Sequence, residues 1–81
     1  MKEFILFVKT DCQYCKKAIN LLSLKNWPFI VTVVDKNAAF LEKTKLKWEW
    51  NTVPIIISNV DGKEELLGGC AELEVLLMES Q

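Results

Sequence analysis

Two thiols separated by two residues, Cys12 and Cys15, stand in the run Lys9-Thr10-Asp11-Cys12-Gln13-Tyr14-Cys15-Lys16-Lys17. A pair so spaced can close a disulfide on itself, or it can supply half of a tetrahedral metal site. The rest of the chain weighs against the metal. Only Cys70 remains as a third sulfur, and there is no histidine. A mononuclear zinc site would therefore need an acidic ligand or a second chain, and no resident metal is expected. The lack of histidine also removes Cys–His and Ser–His–Asp catalysis. Proton transfer near neutral pH is left to a perturbed thiol, a carboxylate or a lysine.

The flanking residues say how the pair is held. The apolar run Phe4 to Val8 leads directly into it, and a helix-compatible stretch, Lys16 to Lys25, leads out. This places the pair on a strand-to-helix turn with Cys12 at the helix N-terminus. There a thiolate is stabilised by unpaired N–H groups and by the helix dipole. Lys9 and Lys16 add positive charge, so the Cys12 pKa should fall well below the usual thiol value of about 8.5. Cys15, one turn further in, is expected to be more buried and to remain a thiol until needed.

The spacing of apolar residues predicts the remaining elements. Glu3 to Val8 is apolar at both parities, as in a central strand buried on both faces. Cys15, Ala18, Ile19 and Leu22 mark one face of a helix that Asn26 and Pro28 end. Phe29 to Val34 reads as a second strand closing at Asp35, and Ala38 to Leu46 as a second helix. Val53 to Ser58 forms a third strand with Pro54 near its start. Asp61-Gly62 is a hairpin signal, after which Glu64 to Leu67 returns antiparallel. Gly68-Gly69 makes a tight bend into a terminal helix with Leu73, Leu76 and Leu77 on one face. The order is β-α-β-α-β-β-α, with a parallel first βαβ unit and an antiparallel closing hairpin.

At 81 residues and 51% apolar content, residues 1–81 are expected to form one small α/β domain. A net charge of −1 gives no electrostatic footprint for nucleic acid or acidic membranes. No apolar run approaches the roughly 20 residues of a membrane span, and no secretory signal is visible. Three cysteines are too few and the wrong parity for a secreted disulfide scaffold, which favours a cytoplasmic setting. A monomer is expected.

A C-x-x-C beside a βαβ pattern is a thioredoxin-like redox signature. With Lys9, Thr52-Val53-Pro54 and Gly68-Gly69-Cys70-Ala71-Glu72 in the same order and spacing, the chain resembles a glutaredoxin of the dithiol class from end to end. The resemblance implies a thioredoxin-like fold, a four-stranded mixed sheet flanked by three helices, and a groove for glutathione beside the nucleophile. By the same resemblance, Cys12 is the nucleophile and Cys15 the resolving thiol. Lys9 and Tyr14 line the groove, with Lys9 facing the glycine carboxylate. Val53, between Thr52 and a cis Pro54, pairs its backbone with the cysteinyl part. The N–H groups of Cys70 and Ala71, after Gly69, hold the γ-glutamyl carboxylate, and Glu72 meets the ammonium group. Glutathione is the implied reductant. Disulfide-containing or glutathionylated proteins are the implied substrates, with ribonucleotide reductase among the family's partners.

Some positions depart from the family pattern. Gln13 replaces the usual proline between the cysteines, Glu72 the usual aspartate, and Ala71 a frequent polar residue. Leu41 falls nearest to the second-helix Gln or Arg, leaving Lys43, Lys45 or Lys47 as substitutes, although that lysine run also reads as a solvated face. Cys70 reads foremost as a small residue filling the turn. Trp27 is expected to cap the first helix, and at least one of Trp48 and Trp50 to be core. Two rival functions stand: a redoxin reduced by thioredoxin reductase, and a carrier of a [2Fe–2S] cluster held by Cys12 and two glutathiones. Lys9 and Gly68-Gly69-Cys70 weigh against the first, and Tyr14 in place of a serine against the second. A pure interaction module is disfavoured, because an exposed activated dithiol would then be a liability.

Overall fold

The computed structural model describes residues 2–79. Its elements are β1 (Lys2–Val8), α1 (Gln13–Leu24), β2 (Phe29–Val33), α2 (Ala38–Trp48), β3 (Ile55–Val60), β4 (Lys63–Gly68) and α3 (Cys70–Glu79). They form one four-stranded sheet in the order β2-β1-β3-β4. β1 pairs in parallel with β2, Leu6 opposite Val31, and antiparallel with β3, Ile5 opposite Ile57. β3 and β4 close the antiparallel hairpin across Asp61-Gly62. The expected order and sheet are both present.

Pleating sorts β1 onto two faces. Phe4, Leu6 and Val8 point into a buried cluster with Cys15, Ala18 and Leu22 of α1, Ile56 of β3, and Leu73 and Leu77 of α3. Fully burying a side chain of this size stabilises by roughly 1.5–3 kcal/mol, so this layer dominates the fold. Trp27 extends it by stacking on Phe4, with ring centroids 5.4 Å apart. On the other face Ile55 and Ile57 are buried, and Phe40 of α2 meets Phe7 edge-on at 6.4 Å. α2 buries only Thr44, whose hydroxyl donates to the Phe40 carbonyl at 2.8 Å. No described helix is long and apolar enough to cross a membrane.

Most boundaries fall within a residue or two of the sequence reading, and the informative cases are these. α1 begins at Gln13 with Cys12 as its N-cap, as expected from the placement of Cys12 at the helix N-terminus. α2 runs two residues past Leu46 and stops where Glu49 turns left-handed (φ 52°). β3 starts at Ile55 rather than Val53, since Pro54 lacks the N–H a ladder needs, and the cis Val53–Pro54 bond lies in the preceding loop.

Candidate active site

The turn between β1 and α1 is built from Lys9, Thr10 and Asp11. Asp11 adopts a left-handed conformation (φ 57°), which short polar side chains tolerate. The Thr10 N–H donates to Asp35 Oδ2 at 2.9 Å, so a residue just past the end of β2 anchors this turn across 25 positions of sequence. That bond is the main cause holding the Asp35 carboxyl below its usual value of 3.8. A depressed carboxyl contributes stability above its ordinary range and loses it as pH falls through the folded value. The Thr10 amide resonance, followed by NMR through acid, should therefore shift with a midpoint below 3.8. A midpoint at or above that value would disprove the anchor.

Cys12 follows in extended conformation (φ −98°, ψ 114°), and its Sγ accepts the Cys15 N–H at 3.2 Å. One side chain is thus both redox atom and helix cap. Cys12 and Cys15 are joined as a disulfide, their Cα atoms 5.2 Å apart, well inside the range a disulfide spans. Cys15 is buried in the core and Cys12 is half-buried at its edge. On reduction, the first-turn N–H groups and the α1 dipole favour the thiolate of Cys12 over the thiol.

The other residues marked in the sequence fall into two groups. Val53 packs against the same core cluster as Cys12, and Pro54 is buried beside it. Gly69 meets this loop: a Cβ placed there would lie 3.5 Å from the Pro54 carbonyl oxygen and 3.5 Å from Glu72 Oε1. Cys70 is buried and Ala71 exposed, in the first turn of α3. Helix geometry leaves the leading N–H groups of that turn without intrahelical acceptors. Lys9, half-buried, follows β1 directly, while Tyr14 is 67% exposed and Thr52 is exposed on the loop. For Lys9, Tyr14 and Thr52 the structure gives position rather than contact.

Glu72 has a structural task beside the one the resemblance implies. Its Oε1 accepts the Gly69 N–H at 2.8 Å, the return half of a capping box at the start of α3. Cys70 also proves to be more than filler. Its Sγ lies 3.7 Å from Glu74 Oε1, and that oxygen also binds Lys17 Nζ at 2.7 Å, tying α3 to α1. Burial first, and the Glu74 carboxylate second, push the Cys70 pKa up, so it stays protonated near neutrality. Of the lysines on α2, Lys43 and Lys47 line a groove of about 710 Å³ together with Phe7, Phe40 and Trp48.

Sequence reasoning missed Asp35 as an anchor, the Lys17–Glu74 tie, and the placement of Trp50. The indole Nε1 of Trp50 is the one buried side-chain nitrogen or oxygen without a hydrogen-bond partner among the described residues. It would lie 3.7 Å from a Cβ on Gly69, so Trp50 backs the junction of the Pro54 loop with α3. Nothing in spacing or composition marks that contact.

Residues 4–64, three quarters of the chain, match the sequence model of the glutaredoxin family. The chain belongs to that family. Solved glutaredoxins superpose on this one along nearly its whole length. The solution structure from Brucella melitensis is 21% identical, covering 95% of this chain and 79% of its own, with a TM-score of 0.72. The holo form of glutaredoxin C1 from Populus tremula x tremuloides is 25% identical, covering 94% and 74%, at 0.75. The buckwheat glutaredoxin–glutathione complex is 21% identical, covering 98% and 71%, at 0.77. No curated protein sequence matches the chain. At these identities the likeness speaks to the fold, which is thioredoxin-like. Together with the bonded Cys12–Cys15 pair, family membership makes this glutaredoxin a thiol–disulfide oxidoreductase.

Proposed function

We propose that the protein reduces disulfides and glutathione mixed disulfides with glutathione as the electron source. The observation that carries this reading is the meeting of Gly69, at the N-terminus of α3, with the Pro54 carbonyl, in a loop whose Val53 shares the core with Cys12. A helix N-terminus beside an exposed loop backbone suits a small peptide bearing carboxylates. The buckwheat relative, crystallised as a glutathione complex, supports the same choice of ligand. In this reading the Cys70 and Ala71 N–H groups receive the γ-glutamyl carboxylate, and Glu72 lies near the ammonium. Val53 pairs with the cysteinyl backbone, while Lys9 and Tyr14, with Thr52, border the rest.

With a glutathionylated substrate, the Cys12 thiolate attacks the glutathione sulfur and expels the substrate thiolate. A second glutathione thiolate then attacks that mixed disulfide, releasing glutathione disulfide and restoring Cys12. With a protein disulfide, Cys12 forms a mixed disulfide with one substrate sulfur and the other leaves as thiolate. Cys15 displaces Cys12's partner, which leaves the Cys12–Cys15 disulfide, and two glutathiones reduce it. Attack at Cys12 is favoured because it is the more exposed of the pair.

The test couples a mixed-disulfide substrate either to glutathione with its reductase or to thioredoxin with its reductase. Turnover in the first system and none in the second is expected. Turnover only in the second would replace glutathione with a protein reductant. In the same assay Cys15→Ser should keep deglutathionylation, within about threefold, and lose reduction of protein disulfides. Loss of both activities would contradict the division of roles.

A further inference from the structure

α2 lies across the end of the sheet that carries the redox pair. β1 ends at Val8 and β2 at Val33, side by side, and β3 opens at Ile55 opposite Phe7. The chain therefore enters and leaves α2 at the end from which the Cys12 turn departs. α1 and α3 pack on the face of Phe4, Leu6 and Val8, whereas α2 meets Phe7 on the other face.

The groove between α2 and that face has two kinds of wall. Phe7, Phe40 and Trp48 supply rings, and Lys43 and Lys47, one helical turn apart, supply charge. Among the described residues no carboxylate lines it. Both lysines are exposed, and Lys47 Nζ stands 5.1 Å over the Trp48 ring, so that ammonium is held at the apolar wall. At about 710 Å³ the space falls in the range of ligand pockets, roughly 300–1,000 Å³.

Charge divides along the chain in the same sense. Residues 1–60 hold nine lysines and five carboxylates, and residues 61–81 hold one lysine and six carboxylates. The acidic part supplies β4 and α3, with β4 at the sheet edge opposite β2. A field of that form turns an acidic partner toward α2 before contact.

We propose that this groove docks an acidic segment of the substrate protein that carries an aromatic side chain, with its carboxylates on Lys43 and Lys47 and its ring among Phe7, Phe40 and Trp48. The inference rests on the proposed function, which brings a polypeptide to Cys12, and it adds a second point of attachment at the same end of the sheet. A second copy of the chain does not fit the groove. Its acidic part, residues 61–81, has no aromatic residue, and Glu65, Glu72 and Glu74 are engaged with Lys63, the Gly69 N–H and Lys17.

Titration with the cysteine-free peptide Glu-Glu-Phe-Glu-Glu, which cannot react at sulfur, tests docking apart from catalysis. It should shift the amide resonances of Phe7, Phe40, Lys43 and Trp48, and bind at least about fivefold more weakly when salt rises from about 0.05 to about 0.5 M. Gln-Gln-Phe-Gln-Gln and Glu-Glu-Ala-Glu-Glu should each bind at least about fivefold more weakly than the parent peptide. In the glutathione-coupled assay, a glutathionylated peptide with the acidic flank should show kcat/KM about tenfold above one with the glutamine flank, the difference residing in KM. Phe40→Ala should erase that preference and leave turnover of the mixed disulfide of glutathione and cysteine unchanged. Lys43→Gln with Lys47→Gln, a surface change that spares the fold, should erase it too. Equal binding of the three peptides, resonance shifts confined to other faces, or equal kcat/KM for the two flanks would overturn the inference. So would a rise in KM for the small mixed disulfide, in the double lysine variant, as large as that for the acidic peptide, since the lysines would then serve glutathione. Failure of the parent protein with every glutathionylated substrate would refute the glutathione reading instead, and the peptide titration would still decide the groove.

Discussion

Cys12→Ser is expected to reduce turnover of every disulfide substrate to the uncatalysed background, a loss on the order of a thousandfold or more. The size of the effect follows from what serine lacks. A hydroxyl at this position can still cap α1, as serine does at many helix starts, so the fold should survive. It cannot ionise near neutral pH or exchange with a sulfur. The comparison therefore separates the two tasks of the Cys12 side chain, because with both proteins reduced, so that no disulfide contributes, stability should remain within about 1 kcal/mol of the parent while activity disappears. Alkylation of the parent over a pH series completes the test, with a midpoint for Cys12 well below the ordinary thiol value of about 8.5. Residual turnover above a tenth of the parent would assign the nucleophile elsewhere. An ordinary midpoint would leave the helix N-terminus without an activating role.

Gly68→Ala is expected to be the most destabilising small change near the site. Gly68 has φ 129°, a conformation that side-chain-bearing residues rarely adopt. A Cβ there would also fall 2.6 Å from Glu72 Cγ and 3.0 Å from its Cβ. The inner of these atoms is fixed to the α3 backbone, so the clash cannot be relieved by swinging the carboxylate alone. Relief would draw Glu72 away from the Gly69 N–H that it caps. Strain, overlap and the lost cap together should cost roughly 2–3 kcal/mol. For a domain of this length that lowers Tm by about 10–20 °C. Gly62→Ala is the control. Gly62 also has a positive φ, 87°, but a Cβ on it would meet nothing within 4 Å. Its penalty should be strain alone, about 1 kcal/mol. Equal losses of Tm in the two variants would show that the Glu72 contact adds nothing.

How much of this could be read from the chain depended on the range of the interaction. The strand into Cys12, the hairpin at Asp61-Gly62 and the face of Leu73, Leu76 and Leu77 were legible because each rests on neighbours within a few residues. The end of α2 was not. Glu49 makes the left-handed turn there, and no glycine or asparagine announces it. The place of Cys12 at the start of α1 was legible, since an apolar strand runs into it and a helical stretch runs out. Its neighbours in the site were legible as a motif, but the contacts that hold them were not. Thr10 with Asp35, Lys17 with Glu74, and Trp50 behind Gly69 join residues from different elements. A one-dimensional pattern carries no record of such meetings.

The Cys15 N–H aimed at Cys12 Sγ bears finally on the tempo of the chemistry. The donor that steadies the sulfur belongs to the backbone of a formed helix turn, and the disulfide partner is the side chain of that same residue. Passing an electron pair in or out of the site therefore asks for little movement of heavy atoms. The dipoles that a solvent would otherwise have to reorient already point at the reacting sulfur. Oxidised and reduced forms can therefore share one scaffold.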